Sequence, residues 1–303
     1  MEYDVIIIGA GPAGTSAAIY AARRALKTLV ISKDLGGQTA LALNIENYPG
    51  IKKIDGIDYM KETKGQAEEF GAEFIFETVT ELKKEGDKFN LKTNGGKDYM
   101  AKAVILTFGR SPRKLNVSGE TEFIGKGVAY CATCDAPLFT GKDVVVVGGG
   151  NSAVDAAVLL SKTSPKVYLV HRRDNFKAEK VLVKKMEESA NIEQVLNTNV
   201  TEIKGDSFVS KVLVKAEGGD TREINAEGIF IEIGGDVNAE WLAGMVKLSE
   251  AGEIEIDKSN QTSVPGLFAA GDSTTVPYKQ TIIAAGEGAN AALAAYDHIQ
   301  LLD

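Results

Sequence analysis

The sequence is short of the residues that usually build a metal centre. Its 303 residues hold two cysteines, two histidines and one tryptophan. Zinc takes about four ligands. Beyond one cysteine pair the chain offers only His171 and His298, and His171 stands beside two arginines, so zinc is not expected. Basic charge is also scarce: 34 Lys and Arg against 42 Asp and Glu give a net charge of −8. Nucleic-acid binding needs a basic face, so no nucleic-acid partner is expected. No apolar run approaches the roughly 18 residues that span a bilayer, so no membrane partner is expected either. The start, Met1-Glu2-Tyr3-Asp4-Val5, has no basic n-region and no apolar h-region. The expectation is a cytoplasmic protein. In that compartment a Cys-x-x-Cys pair reads as redox-active or metal-binding rather than as a structural disulfide.

The sequence is rich in glycine at two particular places. Residues 4–8 (DVIII) read as a buried strand, Gly9-Ala10-Gly11-Pro12-Ala13-Gly14 as a tight turn, and an alanine-rich helix runs to about Arg24. A second strand covers Thr28–Ser32, which completes a βαβ opening. A helix follows at about 58–70, then short strands over 73–107 with a turn at Asn94-Gly95-Gly96. After a linker at about 110–118, a second βαβ unit opens with the strand Val144–Val147, the turn Gly148-Gly149-Gly150-Asn151-Ser152-Ala153 and a helix over about 152–162. The next strand, Lys166–Val170, ends in His171-Arg172-Arg173. Short strands run on to Ile233, with a second linker near 234–245. Glu253–Ile256 and Leu267–Ala270 read as strands, and a small-residue helix from about 280 closes the chain. Two related βαβ units in one chain imply an internal duplication and a two-domain α/β protein.

Each glycine of the first turn has a physical task in a dinucleotide site. Gly9 makes the turn, Gly11 lets backbone approach a pyrophosphate, and Gly14 lets the helix pack on the strand with its N-terminus on the anion. The usual acidic ribose ligand is not evident, since this strand ends at Ser32-Lys33 with Asp34 one step on. The second fingerprint is Gly148-x-Gly150-x-x-Ala153, and the next strand ends in arginines where NADH would find a carboxylate. Arg172 and Arg173 can pair with a 2′-phosphate, which favours NADPH; the alternative is a solvated surface pair. Asp272, in Ala269-Ala270-Gly271-Asp272, reads as a carboxylate aimed at nucleotide hydroxyls or as a surface turn. The small residues from Ala284 to Ala292 permit close approach to a flat ligand or, equally, to another helix. His298 reads as a surface residue and Trp241 as packing near the second linker.

Between the two fingerprints lies Cys131-Ala132-Thr133-Cys134-Asp135. A redox disulfide is the best reading, because Cys-x-x-Cys geometry and a helix dipole can give a reactive thiolate. Two inert buried thiols are the bland alternative. Asp135 is placed to handle a proton as the thiols change state, or else to cap a helix.

These motifs together resemble the low-molecular-weight thioredoxin reductases of the bacterial and archaeal type, FAD-dependent pyridine nucleotide-disulfide oxidoreductases. The carriers are GAGPAG at 9–14, GGQ at 36–38, ENYPG at 46–50, CATCD at 131–135, GGGNSA at 148–153, HRRDNFKAE at 171–179, FAAGD at 268–272 and YKQ at 278–280. The resemblance implies two Rossmann-like, three-layer ββα domains, the second inserted into the first. The FAD domain would be 1–114 with 243–303, and the NAD(P)H domain 115–242 would carry the cysteines. FAD contacts are implied for Pro12 and Ala13 in the first turn, for Ser32, Lys33, Gly36, Gly37 and Gln38 after the second strand, and for Asn47, Val79 and Gly109. Asp272, Lys279, Gln280 and Thr281 would complete that set. NADPH contacts are implied for Asn151, Ser152, Ala153, His171, Arg172, Arg173 and Lys177.

The implied activity is transfer of electrons from NADPH through FAD to the disulfide of thioredoxin or a similar small protein. Cys134 would face the flavin, Cys131 would be the interchange thiol, and Asp135 the acid/base. The family assembles as homodimers and turns its inserted domain on two linkers. This sequence has Lys177 where a further arginine is usual, and lysine lacks the bidentate fork. The segment Ile233-Gly234-Gly235-Asp236-Val237-Asn238 lacks the usual proline before asparagine and adds Asp236, Thr107-Phe108-Gly109 replaces a usual Ala-Thr-Gly, and Lys279 stands where arginine is common. The donor is therefore more open than the fold, with NADH or reduced ferredoxin as the alternatives. A reading of another class is a flavin-binding interaction protein without turnover.

Overall fold

Val5–Ile8 is a continuous apolar run and is buried throughout, the pattern of a parallel strand covered on both faces. The computed structural model describes residues 1–42, 45–242 and 244–302, without the side chains of residues 41 and 134. The chain opens with β1 (Glu2–Ala10), α1 (Pro12–Arg23), β2 (Thr28–Leu35) and α2 (Gly56–Glu69). It continues with β3 (Glu73–Phe76), β4 (Val79–Glu85), β5 (Lys88–Thr93), β6 (Asp98–Leu106) and β7 (Ser111–Pro112). Next come β8 (Val128–Ala129), α3 (Ala132–Asp135), β9 (Val144–Val147), α4 (Asn151–Leu160), β10 (Val167–Val170), α5 (Lys180–Glu187) and β11 (Ile192–Val195). β12 (Thr198–Gly205), β13 (Val209–Ala216), β14 (Thr221–Asn225), β15 (Gly228–Ile231) and β16 (Gly235–Asp236) follow, and β17 (Leu267–Ala269) and α6 (Thr281–Gln300) end the chain. The residues divide into two compact units, 1–111 with 237–303, and 112–236.

In the first unit the strands run in the order β3-β2-β1-β6, all parallel. The far edge of β6 then serves two partners. Asp98–Ala101 pairs antiparallel with β5, and Val104–Leu106 pairs parallel with β17. The hairpin β4–β5 thus forms its own layer while the late strand completes the parallel sheet. One core lies between the sheet and α1 with α6, and a second lies between the sheet and the hairpin side. Pro12 at the first position of α1 has no N–H to lose there. Asp55 caps α2 by accepting from Ile57 N at 3.0 Å.

The second unit repeats the plan. Its parallel sheet has the order β11-β10-β9-β15-β8, and a separate antiparallel meander has the order β12-β13-β14. Apolar side chains fill the gap between sheet and meander, and another set fills the gap between sheet and α4 with α5. Glu120, 2% exposed, accepts from Leu115 N at 2.9 Å, Asn116 N at 2.6 Å and the Tyr130 hydroxyl at 2.7 Å. It pins the first residues of this unit after the chain enters it.

Three local expectations change. Glu253–Ile256 is not a strand: only Ile254 bridges, to Leu248 and to Thr274, because the segment has no continuous partner. A helix, α5, stands where short strands were expected, since Lys180–Glu187 alternates apolar and lysine residues at helical spacing. His298 is half-buried, with its ring edge-on to Phe268 at 6.2 Å.

Gly288 in the small-residue stripe of the last helix serves helix packing. A β-carbon on Gly288 would lie 1.9 Å from Ala13 O, so α6 rests directly on the start of α1. Gly288→Val is expected to destabilise the protein by about 1–3 kcal/mol, as overpacking does. Urea denaturation measures it, and an unchanged midpoint would contradict the contact.

Candidate functional site

In the first unit the turn between β1 and α1 is closed on one side and open on the other. Gly9 has φ +116°, and a β-carbon there would lie 2.5 Å from Thr107 O. One on Gly14 would lie 1.9 Å from Gly9 O, whereas one on Gly11 would find only Gly36 O at 3.9 Å. Gly11 begins α1 without a side-chain cap, and the first turn carries no acid. The leading N–H groups and the positive end of the helix therefore face an open turn, which suits an anion.

In the same unit the structure brings together several expected residues from distant parts of the sequence. Gln38 donates to Arg110 O at 3.1 Å, Asn47 donates to Gln280 Oε1 at 3.2 Å, and the hydroxyls of Thr39 and Thr281 lie 3.2 Å apart. Gly36 and Gly37 both have positive φ at the end of β2, and Gly109 does too, with open space at its β-carbon position. Burial raises Asp272 above the usual carboxylate range, while Lys279 and Arg110 pull it back. Arg110 Nε donates to Asp272 O at 2.9 Å, and its Nη2 pairs with Glu253, which also holds Lys279 at 3.2 Å. The neighbouring Ser273 hydroxyl is fully buried and has no partner. The expected residues at the end of β2 are occupied locally: Ser32 donates to Asp34 O at 2.7 Å, and Lys33 is exposed with Asp34 at 3.9 Å. Val79 begins β4 and packs against the hairpin-side core.

The second fingerprint has the same construction. Gly148 has φ +147°, and a β-carbon there would lie 2.2 Å from Glu232 O and 2.7 Å from the Ala153 β-carbon. Gly150 begins α4 with no side-chain cap and with nothing near its β-carbon position. Asn151 is turned to Glu179, donating to Oε1 at 2.9 Å and accepting from Glu179 N at 2.8 Å. Ser152 is exposed and Ala153 buried. Arg172, Arg173 and Lys177 are all exposed beyond the end of β10. His171 is 9% exposed, stacks on Phe176 at 5.5 Å, and fills the space a side chain on Gly149 would need. Burial lowers its pKa, and its Nε2 has no partner. Asp236 does not stand as an unmatched negative charge, because Arg113 donates to its Oδ1 from Nε at 2.8 Å and from Nη2 at 2.5 Å.

The cysteine motif forms a single helical turn, α3, in this same unit. Cys131 precedes it and is disulfide-bonded. The side chain of Cys134, the chain's other cysteine, lies outside the described residues. Asp135 ends the turn, its N–H bonded to Cys131 O at 3.1 Å. Its side chain caps no helix. Burial raises its pKa, which favours the protonated form an acid must start from.

Sequence reasoning missed Glu232, at the end of β15. Its Oε1 accepts from Ala132 N at 3.3 Å, at the start of α3, and burial pushes its pKa up to about 7. Its signal was a lone acid inside the apolar run Gly228–Ile233. Arg110 was also missed, since no motif marks an arginine that works by holding a carboxylate and a carbonyl.

Residues 3–288 match the family model described as pyridine nucleotide-disulphide oxidoreductase. A thioredoxin reductase of Treponema pallidum (strain Nichols) is 43% identical, over 99% of this chain and 98% of that protein. An NADH dehydrogenase of Bacillus subtilis (strain 168) is 41% identical, over 98% of this chain but 58% of that protein. The chain thus spans little more than half the length of some curated relatives it matches. The crystal structure of Lactococcus lactis thioredoxin reductase (FR conformation) superposes with a TM-score of 0.96 at 36% identity, over 99% of both chains. With two glycine turns, two uncapped helices and a Cys-x-x-Cys turn in place, this chain belongs to the pyridine nucleotide-disulphide oxidoreductase family.

Glu232 has a pKa raised from 4.5 to about 7, so the folded state binds its proton more tightly than the unfolded state. The folded protein is therefore favoured at low pH by this group, and stability is lost as pH rises from about 4.5 through about 7. Glu232→Gln should flatten that part of the stability-against-pH curve in urea denaturation. A wild-type slope retained in the variant would contradict the assignment.

Proposed function

We propose that the chain is an FAD-dependent thioredoxin-disulfide reductase that takes electrons from NADPH. The observation that carries the reading is the turn Cys131–Asp135, with Cys131 in a disulfide and the Asp135 pKa raised by burial, in the same compact unit as the second fingerprint. The first unit is the FAD domain. Its open glycine turn, the uncapped α1 and the group Gln38, Asn47, Gln280 and Thr281 suit a pyrophosphate with a polar tail. The second unit is the NADPH domain, with Gly148 and Gly150 at the phosphates and Arg172, Arg173 and Lys177 as exposed cations for a 2′-phosphate. When bound, FAD would relay two electrons from a nicotinamide to a disulfide.

The chain's own residues handle the thiol chemistry. Cys134 bonds to Cys131 in the oxidised state. Once the dithiol is formed, the Cys131 thiolate attacks a disulfide of a thioredoxin-like protein, and a mixed disulfide forms as one substrate thiolate leaves. Cys134 then displaces the second substrate thiolate and restores the Cys131–Cys134 bond. Asp135, protonated more readily than an ordinary aspartate, supplies and recovers the proton at the leaving sulfur. The protein works as a homodimer in the cytoplasm, as the resemblance to thioredoxin reductases implies.

NADH is the second reading of the donor, favoured by Lys177 in place of an arginine fork and by the relative named an NADH dehydrogenase. Anaerobic titration of the flavin-loaded protein separates the two. NADPH should bleach the oxidised flavin band at stoichiometric amounts and NADH only at excess. Bleaching by neither would overturn the nicotinamide reading. Cys131→Ser and Cys134→Ser should each lower reduction of a thioredoxin disulfide below about one hundredth, as loss of a covalent nucleophile does. Unchanged turnover in both would end the dithiol mechanism.

A further inference from the structure

The turn that carries Cys131 is held from outside by a carboxylate that the thiol chemistry above does not use. Glu232 follows β15, which lies between β9 and β8 in the parallel sheet of the second unit. The strand ends of a parallel sheet are where α/β proteins gather their chemistry. Glu232 stands there alone among apolar neighbours, after Ile229, Phe230 and Ile231 and before Ile233. Its position is fixed at three points. Its N–H donates to Val147 O at 2.8 Å, its carbonyl oxygen fills the space beside Gly148, and its Oε1 takes the N–H of Ala132 at 3.3 Å. The fingerprint turn and the cysteine turn therefore meet at one residue.

Cys131 sits immediately before α3, and the Ala132 N–H is the backbone donor next to it in the chain. Glu232 occupies that donor. When ionised it also sets a negative charge beside the place where a second one would form, and like charges disfavour each other's ionisation. Asp155, on α4, raises the Glu232 pKa further, and Asp135 lies at the far end of the cysteine turn. β9 and β15 contribute only apolar side chains and Gly228. A carboxylate pushed up to about 7 changes charge near neutral pH, where this restraint would be relieved by protonation.

We propose that Glu232 is a positioning residue for the interchange thiol, one that restrains ionisation of Cys131 by holding the Ala132 N–H and placing a negative charge against the turn. The proposal rests on the reading of Cys131 as the interchange thiol. It makes the attack on a protein disulfide depend on the charge of a residue in the neighbouring strand.

The test uses flavin-loaded protein carrying Cys134→Ser, so that Cys131 is the one thiol, reduced with dithiothreitol and desalted. Its rate of alkylation by iodoacetamide is followed from about pH 6 to about pH 10, around the ordinary thiol pKa of ~8.5. With Glu232 in place the midpoint should lie at or above that ordinary value. With Glu232→Gln, which keeps an oxygen for the Ala132 N–H and removes the charge, the midpoint should fall by about one unit, in the range of single-charge effects. An unchanged midpoint in Glu232→Gln overturns the proposal. If that variant does not fold, the Glu232-containing protein decides alone, since a midpoint well below ~8.5 would show an unrestrained thiol and overturn it. Alkylation needs no electron donor and no protein substrate, so its outcome is separate from that of the cysteine variants in turnover.

Discussion

A parallel strand delivers its chain to a turn, and in both units the turn after the first strand of the βαβ motif leaves no room for a side chain. A β-carbon on Gly9 would press on Thr107 O at 2.5 Å, and one on Gly148 on Glu232 O at 2.2 Å. This crowding forces glycine and brings the following helix in close. The next glycine, Gly11 or Gly150, faces open space and starts its helix without a side-chain cap. Two helix N-termini are thereby left with unspent donors, each at the end of a buried sheet. Most of the surrounding structure follows from serving them. β6 splits its edge so that β17 can bring Asp272 and Ser273 to the first, and Gly288 lets α6 lie on Ala13 at the start of α1.

The second unit adds to the same frame the turn that carries the cysteines. α3 is too short to be stable alone, so its geometry depends on its neighbours. Asp135 N closes the turn on Cys131 O, and Glu232 holds the turn's first N–H. The same Glu232 residue supplies the carbonyl that crowds Gly148. Fingerprint turn and cysteine turn thus meet at one strand end, and two carboxyls with raised pKa values, Asp135 and Glu232, lie at the two ends of α3. Glu232, raised to about 7, is accordingly able to change its charge near neutral pH.

Much of this was legible in the sequence, for reasons that differ by element. The two fingerprints were readable because steric crowding admits only glycine at fixed spacing. The two βαβ openings were readable because buried parallel strands show as unbroken apolar runs such as Val144–Val147. The cysteine motif stood out because the chain has no other cysteines. Other features depend on contacts across long sequence distances and leave no local pattern. Asn47 meets Gln280, Thr39 meets Thr281, and Arg110 meets Asp272 and Glu253 only after folding. Glu253–Ile256 looked like a strand because alternation was present, but pairing needs a partner edge, and only Ile254 found one. Asp236 looked like an intruding charge because Arg113, its partner, is more than a hundred residues earlier. The alanine and glycine stripe of α6 fitted two readings equally, and Gly288 against Ala13 O decides for packing at that position.

The central claim is that electrons from a nicotinamide reach the pair Cys131 and Cys134. It is tested most directly by counting thiols in the flavin-loaded protein, incubated anaerobically with NADPH, quenched with iodoacetamide and mapped by mass spectrometry. The account predicts that alkylated Cys131 and Cys134 appear together in the NADPH-treated sample and are absent from the untreated one. A flavin fully bleached by NADPH with both cysteines still unlabelled would contradict it.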